Sequence, residues 1–202
     1  MVDDASTDTS LQVTLAWVRQ YAARFNRVLV VRNRANSGLA RSRNVGFDLA
    51  ETAYVLPLDA DNRLLPECCA RLLEAVRSSH AAFAYSKLQG FGSYDYVIGT
   101  EPFAPLRFAG SNYIDAMALV AKSAWATIGG YTHIHFGWED YDFWCCCVEH
   151  GLRGCHVPEI LADYRYHQAS MVRTSTDTPT NKMKVIEQLE ARHAWLTITY
   201  RE

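Results

Sequence analysis

No apolar run in this 202-residue chain approaches the ~20 residues of a membrane span. A basic excess is also missing. Lys and Arg number 20 against 22 Asp and Glu, for a net charge of −2, which argues against the positive surface that nucleic-acid binding needs. No secretory leader pattern is legible. The chain therefore reads as cytoplasmic, with peripheral contact at the inner face of a membrane left open. None of the cysteines, Cys68, Cys69, Cys145, Cys146, Cys147 and Cys155, stands in a CxxC spacing, which weakens zinc and thioredoxin-like readings. Neighbouring cysteines make a poor disulfide framework, so they read as reduced thiols serving as small apolar residues. There is no internal repeat and no low-complexity linker.

What is present is ordinary globular material. Hydrophobic residues at 49% and charged residues at 21% suffice for one sizeable core. The elements alternate. Residues 11–25 read as a helix with Leu11, Leu15, Val18 and Ala22 on one stripe. "RVLVVRN", 27–33, suits a buried parallel strand. A helix follows over 38–50, a strand over 53–58, and a helix whose stripe is Leu65, Cys68, Cys69, Leu72, Leu73 and Val76, with Pro66 in its first turn. Residues 82–88 are a strand candidate, and 90–110 reads as an irregular loop. A helix over 139–150 ends before Gly151, "ILADYRYH" is a late strand, and a last helix spans 181–196. Strand and helix in alternation give an α/β sheet covered on both faces, mostly parallel. Ligands in such sheets sit at the carboxyl ends of strands.

Two carboxylates stand at such an end, Asp59 and Asp61 in "LDADN". In extended backbone, residues i and i+2 face one side, so the two can converge on a hard cation such as Mg²⁺ or Mn²⁺. Asp3 and Asp4 in "VDDASTD" would occupy an equivalent place if the chain opens on the tail of a strand. "NSGLARSRNVG" offers Gly38 for close backbone approach, with Asn36, Arg43 and Asn44 around it. "GWEDYDFW" sets Glu139 and Asp140 at a helix N-terminus, where the dipole favours negative charge.

These four stretches, collinear over nearly the whole chain, resemble the family 2 inverting glycosyltransferases of GT-A (Rossmann-like) fold. The resemblance implies a single GT-A domain, with residues 1–90 binding the donor nucleotide and 91–202 holding the acceptor and the catalytic base. It implies that the DAD stretch holds a divalent cation against a nucleotide-sugar diphosphate, with Asp61 the direct ligand and Asp59 meeting metal or ribose. Asp140 matches the base that takes the acceptor hydroxyl's proton, with Glu139 its neighbour able to share the role and Asp142 in support. Asp3 and Asp4, with Asn36, Gly38, Arg43 and Asn44, match the nucleotide-seating positions. His167 in "YRYHQASM" matches a third metal ligand or diphosphate contact, and Arg165 and Arg173 could clamp phosphate. Asn112 and Asp115 fall on the acceptor side. The donor class implied is a UDP-sugar. The acceptor implied is a glycan or lipid-linked hydroxyl, in surface polysaccharide or glycoconjugate assembly.

One departure stands out. The family's usual first strand and its base-cradling turn have no match, so the chain is expected to lack the first strand and helix and to begin at the end of the second strand. That predicts an incomplete base pocket and an exposed sheet edge through which copies could pair. Two rival readings accompany it: a sugar nucleotidyltransferase, and a truncated, non-catalytic nucleotide-binding domain.

Overall fold

A computed structural model of the chain describes residues 1–199. It divides into two compact units, Met1–Ala50 and the chain from Glu51 onward.

The first unit holds β1 (Val2–Asp3), α1 (Ser10–Tyr21), a 3-10 turn (Ala22–Arg24), β2 (Val31–Arg32) and α2 (Leu39–Leu49). β1 and β2 run parallel, Val2 opposite Val31 and Asp3 opposite Arg32. The strand expected over 27–33 is short as a ladder because β1 offers only two residues to pair. Hydrogen bonds extend it at both ends, from the Met1 amino group to Leu29 O (2.7 Å) and from Asn33 N to Asp3 O (2.8 Å). Among the described residues β1 pairs with β2 alone. The helix expected at 11–25 forms, but its stripe stays wet: α1 buries none of its residues and Leu15 is exposed. Trp17 leans instead on Tyr21 and Phe25.

The second unit holds β3 (Tyr54–Val55), β4 (Arg63–Leu64), α3 (Cys68–Ser79), β5 (Phe83–Gly92), β6 (Val97–Ile98), a 3-10 turn (Pro105–Ala109), β7 (Leu119–Ala121), α4 (Lys122–Thr127), α5 (Glu139–Glu149), β8 (Gly154–Tyr166), a single π-helical turn (Val172–Thr176) and α6 (Pro179–Arg192). Strand order is β3-β7-β5-β8-β4, with β6 on β5. The longest ladder, β5 with β8, is parallel. The short pairings β3/β7, β4/β8, β5/β6 and β5/β7 are antiparallel. The sheet is thus mixed, a refinement of the mostly parallel expectation: β5/β6 is a hairpin with a short loop, and the other antiparallel pairs join strands far apart in the chain.

Successive residues of β5 face opposite sides. Ala84 meets Cys68, Leu72 and Val76 of α3. Phe83 packs on Trp144 of α5, ring centroids 4.6 Å apart. Helices therefore cover both faces. The α5 side is ring-rich: Tyr131 stacks on Phe143 at 4.2 Å, Trp144 Nε1 donates to Ile114 O at 2.8 Å, and the Tyr141 hydroxyl donates to Phe108 O. Burying such rings with their polar tips satisfied gives the largest apolar gain per residue.

All six cysteines are free thiols. Burial pushes the Cys68 thiol up to about 12 and Cys146 up to about 11, so neither forms a reactive thiolate. Cys69, expected on the buried stripe of α3, is exposed, because the helix turns it outward between Cys68 and Leu72. Pro66 lies in the turn before α3 rather than inside it. The segment 90–110 is not structureless. It carries the end of β5, β6 and a 3-10 turn that buries Phe108.

Candidate active site

In the first unit, β1 delivers Asp4 to the N-terminus of α2. Its carboxylate accepts hydrogen bonds from Asn33 Nδ2 (2.7 Å), Ser37 N (3.0 Å), Ser37 Oγ (2.9 Å) and Gly38 N (2.8 Å). Burial works against the anion, but the bonds from Asn33, Ser37 and Gly38 outweigh it and hold the carboxyl at about 2. Asp4 therefore fixes the shape of the 33–38 loop. Gly38, at φ +86°, adopts backbone open to glycine. Asn36 is exposed on that loop, and Arg43 and Asn44 are half-buried on α2. Asp3 Oδ2 lies 3.2 Å from Arg32 Nε, while Asp3 Oδ1 accepts Ser6 N at 3.4 Å. The motifs around Asp3–Asp4 and Asn36–Asn44 thus meet, with Asn33 and Ser37 as members that sequence reading missed.

In the second unit, the turn after β3 carries Asp59 and Asp61. It is pinned to the end of β8. Asn62, itself buried, accepts Arg165 N through Oδ1 at 2.9 Å, and Arg165 Nε donates to Asp61 O at 3.2 Å. Asp61 Oδ2 lies 3.1 Å from His167 Nε2. Both side chains keep about 40% exposure, 42% for Asp61 and 40% for His167, so a solvent ion can reach them.

Across from this turn, α5 begins at Glu139. Three residues before it have positive φ: Phe136 at +77°, Gly137 at +114° and Trp138 at +64°. The π-helical turn holds them there, Thr176 Oγ1 donating to Phe136 O at 2.6 Å. A Cβ on Gly137 would meet Thr176 Oγ1 at 2.9 Å. The strained segment aims the first turn of α5, a usual use of such backbone. Asp140 Oδ2 then accepts Asn112 Nδ2 at 3.0 Å, and its Oδ1 accepts Tyr141 N at 2.8 Å. Glu139 beside it is buried.

Tyr164 ties the two halves of this site together. After burial itself, the charges of Asp115, Asp59, Asp140 and Asp61, in that order, push its phenol up. Four carboxylates from three chain segments thus bear on one hydroxyl. Within "YRYH" the sequence alone gives Tyr164 no role. Its signal was the alternation along β8 that turns 164 and 166 to one side.

Asp142 lies behind the site and is fully buried. Arg192 and His193 of the α6 end both donate to it, His193 Nε2 at 3.0 Å. His193 Nδ1 donates to Glu149 Oε1 at 2.9 Å, so both ring nitrogens face carboxylates. Burial opposes the imidazolium, yet the bonds to Asp142 and Glu149 raise its pKa. Burial likewise opposes the Asp142 anion, and His193 and Arg192 hold it low. Cys146 Sγ lies near the same carboxylate, but a site already filled by a guanidinium and an imidazolium does not suit a metal ion.

Residues 1–128 match the family described as Glycosyl transferase family 2. The chain belongs to that family. Among its relatives is an uncharacterized glycosyltransferase of Haemophilus influenzae, 29% identical, covering 82% of this chain and 59% of that protein. Another is EpsE of Bacillus subtilis, 26% identical, covering 87% of this chain and 64% of that one. The family 2 chain also resembles Staphylococcus aureus TarS 1–349, solved with UDP-GlcNAc, at TM-score 0.75 and 18% identity over 94% of this chain and 55% of that one. A Pyrobaculum calidifontis mannosyltransferase, PcManGT, solved with GDP-Man and Mn²⁺, matches at TM-score 0.65 and 16% identity over 84% and 48%. These likenesses show the fold, a mixed α/β GT-A sheet with helices on both faces. The chain spans about three-fifths of the curated relatives and about half of the two structural ones. No helix of the described residues is long and apolar enough to cross a membrane.

Proposed function

We propose that this chain transfers a sugar from a nucleoside-diphosphate donor, a UDP-sugar by preference, to a hydroxyl acceptor with inversion and with help from a divalent cation. The setting is surface polysaccharide or glycoconjugate assembly on the cytoplasmic side. One observation carries the reading: Asp59, Asp61, Asp115 and Asp140 bear on one tyrosine hydroxyl, with Asp61 against His167. Like charges gathered at an accessible site suit a task that supplies a cation.

The donor set fits Mg²⁺ or, with an imidazole present, Mn²⁺. Asp61, Asp59 and His167 would hold it. When bound, such a cation offsets charge on a departing nucleoside diphosphate. Asn62 and Arg165 keep the Asp61 turn from drifting away from β8. Asp140 accepts the proton of the acceptor hydroxyl. Asn112 and the Tyr141 N–H fix its carboxylate, and the N-terminus of α5 stabilises the charge it carries before the proton arrives. Asn112 also leaves Asp140 a defined orientation toward incoming hydroxyl oxygen. Glu139 stands beside Asp140 as a neighbour able to share the role. Asp4 shapes the 33–38 loop for the nucleotide, and Asp3, Asn36, Gly38, Arg43 and Asn44 seat it. The residues up to 90 would then serve the donor and those beyond 90 the acceptor and base. Family membership leaves the sugar nucleotidyltransferase alternative without support.

Calorimetric titration of UDP and GDP, with and without Mn²⁺, tests the cation site. The expected result is manganese-dependent binding of UDP that Asp61→Ala abolishes. Asp140→Asn should keep that binding and lose turnover. Metal-independent binding, or binding that survives Asp61→Ala, defeats the reading. Binding without turnover under any acceptor would favour the non-catalytic alternative.

A further inference from the structure

From Tyr164, within the acidic site, a line of tyrosines runs outward. Tyr164 and Tyr166 ring centroids lie 5.0 Å apart on β8. Tyr166 meets Tyr96 at 4.9 Å and Tyr94 at 5.9 Å, both on the β5–β6 hairpin. The outer two are open to solvent, Tyr94 at 50% and Tyr96 at 48% exposure. The ladder is built, not accidental. Ser93 N and Gly90 N donate across it to Tyr166 O and Tyr96 O, each at 2.9 Å. A Cβ on Gly90 would meet the Tyr166 ring at 2.9 Å, and one on Gly92 would meet Tyr166 O at 2.4 Å. Two glycines therefore let the hairpin close on Tyr166.

The outer end carries charge. The Arg173 guanidinium sits 4.5 Å over the Tyr94 ring and 5.8 Å from that of Tyr166. Among the described residues it has no carboxylate within ion-pair distance, whereas Arg63 faces Asp163 and Arg107 faces Glu101. An exposed row of rings ending in an unneutralised guanidinium is complementary to a flat, hydroxylated chain that bears an anion. Tyrosine supplies large, rigid, amphipathic contact area at low entropic cost.

We propose that the Tyr164–Tyr166–Tyr96–Tyr94 ladder is the acceptor platform, and that it takes an oligosaccharide carrying a carboxylate or phosphate group read by Arg173. The proposal rests on the transferase reading above and deepens it. A glycan lying along the ladder brings its terminal sugar to Tyr164, which the charge of Asp140 reaches. The donor side adjoins the ladder's inner end, at Asp61 and His167 where β8 ends. The segment that looked structureless in sequence is therefore the one that selects the acceptor.

The test is titration of the full chain with an oligogalacturonate, a phosphorylated oligosaccharide and neutral maltohexaose, alongside UDP–Mn²⁺. Tyr96→Ala should weaken the preferred anionic sugar about tenfold, the cost of one lost stacking partner. Arg173→Gln should erase the preference for the anionic over the neutral sugar, a difference of about fivefold at low salt. UDP–Mn²⁺ binding should be unchanged in both variants. The uronate and phosphate arms decide which anion is read. Three results overturn the platform: no oligosaccharide binds, the variants bind sugars as the parent does, or Arg173→Gln weakens UDP–Mn²⁺ instead and so assigns the guanidinium to the donor. Absence of UDP–Mn²⁺ binding in the parent chain, with sugar binding intact, sinks the transferase reading and leaves the ladder as a sugar-binding surface without the acceptor role.

Discussion

The unit up to Ala50 buries three side chains, Ala40, Ser42 and Phe47, and leaves Val13, Leu15, Trp17 and Phe25 exposed. The unit from Glu51 buries Phe83, Tyr85, Phe108, Tyr141, Phe143 and Trp144 around one sheet. The first is ordered by a polar cradle around Asp4. The second is ordered by apolar packing, with one buried ionic relay, Arg192–Asp142–His193–Glu149, closing α6 onto α5. The contrast separates two ways of making a site rigid. Hydrogen bonds to a carboxylate shape a loop cheaply but locally. Packed rings fix whole helices, and so fix the direction in which α5 presents Asp140.

The largest test of that contrast is Asp142→Ala. It leaves Arg192 and His193 facing a void, and a broken buried pair typically costs about 3–5 kcal/mol. Urea unfolding should show that loss in the second unit. A loss below about 1 kcal/mol would mean the relay behaves as a surface pair. Next in size is Asp4→Ala, which strands the donors of Ser37 and Gly38 at about 1–3 kcal/mol. Amide exchange should quicken at Ser37, Gly38 and Ser42 while the amides of α5 stay protected. Equal loosening of both units would remove the distinction drawn above.

The pH response is smaller and has a sign that sorts the units. His193 has its pKa raised in the fold. Its contribution is complete below the ordinary value of 6.5 and is lost as pH rises through the raised one. Asp4 runs the other way, its contribution complete above 3.8 and lost as pH falls toward about 2. Asp142, also held low, joins it on the acid side. Mild alkali should therefore lower the denaturation midpoint of the second unit alone, and His193→Gln should flatten that drift. A drift that persists in His193→Gln belongs to another group. The smallest effect is expected at Arg71, whose pairs with Glu159 and Glu74 lie in solvent. Arg71→Ala should leave the midpoint unmoved.

Much of this was legible in the chain itself, and the reasons differ by element. Helices at 10–21, 39–49, 68–79 and 139–149 form where the chain reads as helical, and the acidic stretches at 59–61 and 139–142 lie in the turn after β3 and in the first turn of α5. The two-residue strands were not legible at their true length, because a ladder ends where its partner ends, and β1, β3 and β4 are short. The hairpin at Val97–Ile98 was hidden for a similar reason: its partner on β5 sets its register, and Tyr96 finds its ring neighbour seventy residues on, at Tyr166. Arg192 and His193 fall inside the last helix expected over 181–196, with nothing local to mark them. Only the fold brings them to Asp142, fifty residues earlier.

The left-handed run Phe136–Gly137–Trp138 has a consequence for anyone building libraries on this scaffold. Gly129 and Gly151 also have positive φ, but open space surrounds the place of their missing Cβ. Randomised, those two positions should return asparagine and aspartate beside glycine. Position 137 should return glycine alone, since its φ of +114° and the crowding by Thr176 and Met171 exclude every side chain. Diversity aimed at the turn before α5 is therefore better spent on the walls that Thr176 and Met171 provide than on the turn itself.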